Sequence, residues 1–229
     1  MIVILAREGD AAARLLAVRW GDRAMVLCCA DIGQYRTAIA HPRVSDSTLA
    51  TDERSLAITD IEGVLNLLPA VAPGELRFYP PGEREYQAAE FHALLMYLLA
   101  ALPCRVINRP TSLSLNGPVF NALGWYHLAS RAGIPLAPLE THESHLVPAF
   151  ESRGAELIEV ACLAGRLICE SGTIADAYLL ALAKESGVDY LVGRFCRRAP
   201  TDLRFVAANA VPDARAPWLE QALIKVFSG

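Results

Sequence analysis

Several groups of side chains have the types and spacing to do chemistry. In "DLRFVAANAVPDARAPW", residues 202 to 218, Asn209 ends an apolar run just before a turn at Pro212-Asp213. An asparagine there is either a ligand held on a rigid strand edge or a cap bonded to the turn backbone. A hard metal ion asks for carboxylates, yet positions 207 and 208 are alanines. Arg194, Arg198 and Arg204 fall on two apolar runs expected to pair, and alternation puts Arg194 and Arg198 on one face with Val192 and Cys196. Guanidinium forks suit phosphate or carboxylate without a metal. The same arginines equally suit a solvated sheet edge that discourages strand addition. In "SLSLNGP", Ser114, Asn116 and the Gly117 backbone, with Arg109 nearby, read as a helix start. Such a start serves an anion or simply its own caps. His142, Glu143 and His145 include metal-ligating types, but they lie in a loop with no further ligand in reach, so a polar surface loop is the plainer reading.

Composition narrows what these groups can serve. Hydrophobic residues make up 53% of 229 and charged residues 20%, enough for a sizeable core and too apolar for disorder. A net charge of −4 argues against a general nucleic-acid binder, which would normally be basic. No apolar run reaches the roughly 20 residues that cross a bilayer, and the opening "MIVILAREGD" reads as a first strand, not a signal peptide. Six cysteines without a C-x-x-C pair, mostly inside apolar runs, point to buried free thiols and a reducing cytoplasm. Cys28 and Cys29 fall on an expected strand, so their thiols would face opposite sides and not chelate together. Lys184 and Lys225 are the only lysines, which limits any mechanism that needs an amine. Neither a P-loop, a G-x-S-x-G elbow nor a G-x-G-x-x-G turn occurs.

The elements that must position these residues follow from periodicity. "IVILA" and "AMVLCCA" read as buried strands around an alanine-rich helix capped by Asp10, a β-α-β opening that predicts a parallel, Rossmann-like sheet. Residues 47 to 66 predict a hairpin about Asp52-Glu53-Arg54 and then a further strand. "PAVAPGELRFYPPGE" reads as an exposed, proline-rich connector. Residues 83 to 102 predict a helix whose broad apolar face carries Tyr86, Phe91, Leu94, Leu95, Leu98 and Leu102. After the strand "CRVIN", a helix is expected from Asn116-Gly117-Pro118 to Gly133. Beyond it the pattern turns antiparallel: a hairpin about Ala164-Gly165, a helix from Thr173 to Gly187, the pair "YLVGRFCRR" and "LRFVAAN", and a closing helix. The expected organisation is a Rossmann-like domain over 1–134 and a smaller α+β domain with an antiparallel sheet over 135–229.

Several of these stretches resemble the ATP-grasp ligases, in particular those that modify ribosomal peptides or ligate amino acids. "VINRPTSLSLNGPVFNALGWYHLASRAGIPLAP" is similar to that family's link from its first domain into its nucleotide-binding part. "LIEVACLAGRLICE" resembles the hairpin of the second half of the grasp, and "RFVAANAVPD" the closing strand that ends Glu-x-Asn-x-x-Pro. The resemblance implies a pre-ATP-grasp-like first domain and a truncated ATP-grasp-like second one. It puts the magnesium ligands at Ala207 and Asn209 and an earlier aspartate at or near Arg194; only the asparagine is present. Between Pro138 and Leu157 the family normally inserts a glycine-rich loop and lysine strands, and no lysine stands there. The expectation is a non-catalytic binding or scaffold partner for a peptide or protein, with no cofactor. The alternative is a ligase or transferase with ATP and magnesium and a site rebuilt on Arg194, Arg198 and Arg204. Apolar helix faces at 86–102 and 217–227 would allow a homodimer.

Overall fold

The computed structural model describes residues 1–35, 37–142, 145–148, 155–199 and 202–227. The chain forms two units. One comprises Met1–Gly117, Asp213–Glu220 and Phe227–Gly229, and the other Pro118–Pro212 and Gln221–Val226.

The first unit is built on a parallel sheet. Its elements are β1 (Ile2–Leu5), α1 (Ala11–Trp20), β2 (Ala24–Leu27), α2 (Cys29–Gln34), β3 (Thr48–Ala50), β4 (Ser55–Ala57), β5 (Gly63–Asn66), α3 (Arg84–Ala101) and β6 (Arg105–Ile107). Four strands pair in the order β2-β1-β5-β6, and β3 and β4 form a separate antiparallel hairpin. Every residue of β1 and β5 is buried, as expected of strands covered on both faces. Helix α1 starts where the sequence says it should, because Asp10 Oδ1 accepts the N–H groups of Ala12 and Ala13 at 2.9 and 3.0 Å. One face of the sheet (Val3, Leu5, Met25, Leu27) packs with Leu49 and Leu56 of the hairpin and Leu95 and Leu98 of α3.

Local expectations fail here where a tertiary partner intervenes. Cys28 and Cys29 are not strand residues: β2 ends at Leu27 and Cys29 opens α2, because the Asp31 carboxylate accepts the Cys28 N–H at 2.8 Å and caps the helix. The proline-rich connector is not exposed throughout. Leu76 is 0% exposed, and Phe78 and Tyr79 stack edge-on against Phe91 of α3. Tyr86, at 66% exposure, drops off the apolar face of α3, while Phe91, Leu95, Leu98 and Leu99 are buried inside the unit. That stripe is thus used internally.

The second unit carries the antiparallel sheet. It contains α4 (Ala122–Arg131), β7 (Leu139–His142), β8 (His145–Pro148), β9 (Glu156–Leu163), β10 (Arg166–Cys169), α5 (Ile174–Ser186), β11 (Tyr190–Ala199) and β12 (Asp202–Asn209); α6 (Pro217–Phe227) contributes to both units. The main sheet runs β10-β9-β11-β12, and β7 and β8 pair separately. The β9–β10 turn falls at Ala164-Gly165 as read from the sequence, with φ of 51° and 74°, the pair of positive angles a two-residue hairpin turn needs. Under the sheet, Trp125 and Tyr126 of α4 and Leu179 and Leu182 of α5 pack on Ile158, Phe195 and Phe205. Helix α4 begins at Ala122, later than Asn116-Gly117-Pro118, because Asn121 supplies the cap by accepting the Gly124 N–H at 2.8 Å. The two units divide at Gly117–Pro118 instead of near residue 134, since α4 belongs to the core of the second.

Two measurements test this packing. A Cβ at Gly63 would collide with the Phe227 ring in the first unit, so Gly63→Ala should cost about 1–3 kcal/mol, read as a lowered denaturant midpoint at unchanged slope. Burial pushes the Cys29 and Cys162 thiols up to about 12. Alkylation of the native protein at about pH 8 should therefore spare both sites, while the denatured chain labels all six cysteines; peptide mass mapping reads the difference.

Candidate functional site

The antiparallel sheet brings together residues that the sequence keeps far apart. In the ladder, Arg194 of β11 stands opposite Glu159 of β9 on one side and Ala207 of β12 on the other. Two pairs further along, on the same face, Val192 lies between Ala161 and Asn209. Phe195, Phe205 and Ile158 point into the core. Alternation therefore turns Glu159 and Arg194 to the opposite, solvated face, where their side chains are 45% and 57% exposed. There Arg194 Nε donates to Glu159 Oε2 at 2.9 Å.

Two irregularities change the expected arginine face. The β11–β12 register shifts between Arg194 and Phe195 and again between Arg197 and Ala199. The first leaves Val206 as the extra residue on β12 and the second leaves Arg198 extra on β11, so alternation breaks at Arg198, while β11 stays in register with β9 from Tyr190 to Arg197. Cys196 does not share an open face with Arg194: it is buried with Val206 and Ala137. The segment before β7 covers that spot, since Ala137 N–H donates to the Phe205 carbonyl at 2.9 Å and Phe205 N–H to the Pro135 carbonyl at 2.7 Å. Arg204 bonds Asp202 at 2.7 Å on its own strand, and Arg197, passed over by the sequence reading, is paired with Glu156. Arg198, like these, is already engaged. Arg194, Arg197 and Arg204 thus answer separate carboxylates and do not converge on one anion. Exposed pairs of this kind contribute only about 0–1 kcal/mol each, so their main effect is to set where charge stands.

Asn209 closes the row in the manner of a cap. Its Oδ1 accepts the Val211 N–H at 3.0 Å and its Nδ2 donates to the Val211 carbonyl at 3.4 Å, an Asx turn that ends β12.

Ser114, Asn116, Gly117 and Arg109 lie in the first unit and not at a helix N-terminus. Ser114 and Asn116 are buried in an irregular loop, where Ser114 Oγ donates to Asn116 Oδ1 at 2.9 Å and to the Pro69 carbonyl at 3.2 Å. Asn66, at the end of β5, belongs to the same knot: it donates to the Leu115 carbonyl at 2.7 Å and accepts the Leu68 N–H at 2.9 Å. Gly117 takes φ of 98°, and a Cβ there would lie 2.7 Å from the Asn108 Cβ, so glycine is required. Arg109 donates from both terminal nitrogens to the carbonyls of Leu99, Ala100, Leu102 and Cys104 at 2.8–3.2 Å. It thereby serves the carbonyls that α3 leaves without partners at its C-terminus.

Glu143 lies outside the described residues, and so does any metal reading of His142-Glu143-His145. Among the described residues no group of three or more His, Cys, Asp or Glu is placed to hold a metal ion. Glu159 is the site residue that motif reading missed. The only trace of it in the sequence is a lone charge on the polar phase of "LIEVACL".

Arg109→Ala should destabilise the first unit by about 1.5–3 kcal/mol, as expected for loss of charged hydrogen bonds to part-buried and exposed backbone acceptors. Arg109→Lys should recover little, because a single ammonium cannot span four carbonyls. Thermal unfolding of both variants tests this; full stability of Arg109→Ala would free the arginine for a ligand.

No protein-family model and no curated protein matches the sequence. Solved structures do match the fold along its whole length. The ATP-grasp ligase PsnB complexed with a minimal precursor aligns at TM-score 0.71 with 12% identity, covering 100% of this chain and 99% of that one. The macrocyclase MdnC of Microcystis aeruginosa MRC, bound with precursor peptide MdnA, aligns at TM-score 0.68 with 10% identity and coverage of 100% and 99%. A Chryseobacterium gregarium RiPP-associated ATP-grasp ligase, in complex with ADP and a leader and core peptide, aligns at TM-score 0.60 with 11% identity and coverage of 99% and 95%. Parallel sheet, hairpin and antiparallel sheet in this order make the fold of the present chain that of the ATP-grasp ligases.

Proposed function

We propose that this protein is a non-catalytic ATP-grasp-like chain that binds a peptide or protein partner in a peptide-modification pathway and does not itself ligate. The observation that carries the reading is the row Glu159–Arg194–Ala207. The family resemblance puts metal carboxylates at or near positions 194 and 207. A guanidinium and a methyl group stand there as direct cross-strand neighbours, and the nearest carboxylate, Glu159, is spent on Arg194. Phosphoryl transfer depends on neutralising phosphate charge with metal and cations held in position. Magnesium takes one or two carboxylates besides phosphate and water. A cation at the ligand position repels it. No ATP or magnesium is required for the proposed role. A ligase rebuilt on arginines would need Arg194 and Arg204 unengaged, and both are hydrogen-bonded to carboxylates.

That the solved neighbours are crystallised with precursor peptides supports a peptide as the partner class. The free thiols support a reducing, cytoplasmic location, and among the described residues no helix is long and apolar enough to cross a membrane. A homodimer is retained only as a proposal, checked by sedimentation across concentration.

The purified chain with Mg-ATP and an amine- or hydroxyl-bearing peptide should release no ADP above the protein-free rate; steady ADP release would sink the reading. The double variant Arg194→Asp/Ala207→Glu should gain magnesium-dependent stabilisation by ADP in a thermal shift assay, where the wild type shows none.

A further inference from the structure

A cleft of about 780 Å³ lies in the first unit, along the free edge of the parallel sheet. Strand β2 is last in the order β2-β1-β5-β6, so among the described residues its outer edge has no strand beside it. The Leu27 carbonyl accepts the Ala6 N–H at 3.0 Å, so Leu27 and Met25 turn their backbone groups toward β1. In a parallel ladder the alternate residue then presents its N–H and C=O outward. That residue is Val26, which lines the cleft together with Ala24 and Cys28. From Ala24 to Leu27 the edge extends for about 10 Å, room for three or four residues of extended chain. It offers the Val26 N–H and C=O and the Ala24 C=O, since the Ala24 N–H bonds the Gly21 carbonyl and Cys28 is engaged by Asp31 and Ile32.

The two walls differ in chemistry. Met25 and Leu27 face the same side of the sheet as the β3–β4 hairpin, whose turn brings Asp52 and Glu53 to the cleft. Ala24 and Val26 face the other side, where α1 offers Ala17 and Val18, the latter 77% exposed. Charge on the lining is unbalanced toward the negative. Of its arginines, Arg54 is paired with Asp22 at 3.1 Å and Arg7 lies 3.2 Å from Glu75. Among the described residues of the lining, Glu8, Asp31, Asp52 and Glu53 then face Arg14 as the remaining cation. Tyr35, also on the lining, has its phenol held above the usual range, first by the charge of Asp52, then by burial and by Asp31.

We propose that this cleft binds an extended peptide of alternating apolar and basic residues, which joins the sheet as a fifth strand beside β2. Main-chain bonds to Val26 would hold it, as in other strand additions to open sheet edges. Its alternate side chains would divide between the apolar α1 wall and the acidic hairpin turn. A second copy of this chain is the poorer occupant, because it would bring its own acidic cleft edge against this one. The inference rests on the reading of the protein as a peptide binder and gives that peptide a place and a sequence pattern.

The test is fluorescence anisotropy with a labelled hexapeptide of alternating lysine and valine. Controls are its glutamate–valine counterpart and a version N-methylated at alternate amides. The lysine peptide should bind saturably, and the glutamate and N-methylated peptides at least about tenfold more weakly. Asp52→Lys/Glu53→Lys, confined to an exposed turn, should weaken the lysine peptide by a similar factor without lowering the melting temperature. Val26→Pro should do the same by deleting the outward N–H. Binding that ignores the charge reversal and the N-methyl groups would overturn the cleft assignment and leave the peptide-binder reading intact. Absence of binding up to about 1 mM would overturn the cleft assignment, whereas ADP release with Mg-ATP would strike the general reading alone. A dimer that Val26→Pro dissolves would replace the peptide by a second copy and also overturn the proposal.

Discussion

The antiparallel ladder of β9, β11 and β12 is the constraint on which the candidate site depends. Hydrogen bonding between strands fixes which residues stand side by side, and side-chain period then decides what each face carries. A slip of one residue would bury Arg194 and expose Phe195. That slip is prevented from below, where Phe195 and Phe205 sit with ring centroids 5.9 Å apart and Tyr126 contacts Phe205 at 5.5 Å. The core therefore specifies the register, and the register places Glu159, Arg194 and Ala207 in one row on the open face.

The first unit solves a different problem. A parallel sheet buried on both faces ends in loops whose polar groups must be satisfied without water. Asn66, Ser114 and Asn116 knot the loops at the ends of β5 and β6, and Arg109 serves the carbonyls at the end of α3. These are the residue types that ligand sites use, which is why the sequence offers them as candidates. Their partners are backbone and side-chain groups of their own unit. The open edge of β2, by contrast, is satisfied by no strand of the described chain.

Much of the framework was legible in advance. The β-α-β opening, the hairpin about residues 52–54, the Ala164-Gly165 turn and the Asn209 cap all arise from local causes: burial period, turn dihedrals and a side chain bonding its own turn. The departures have two causes, a local cap and tertiary cover. Cys28 and Cys29 look like strand until Asp31 caps them into a helix, and Leu76 looks exposed until α3 covers it. One needed a side-chain cap three residues on and the other a helix packed over it, neither of which periodicity registers.

The sequence by itself determined the α/β class, the order of its elements apart from α2, β7 and β8, and the residue types at 194, 207 and 209, because each follows from local pattern. Only the tertiary structure decided that Arg194 and Ala207 are neighbours, that Glu159 occupies the arginine, and that the segment before β7 covers Cys196. Strand pairing joins residues 35 positions apart in the case of Glu159 and Arg194, and which strands pair is settled by the packing of Phe195 and Phe205 beneath them, not by the residues of the row.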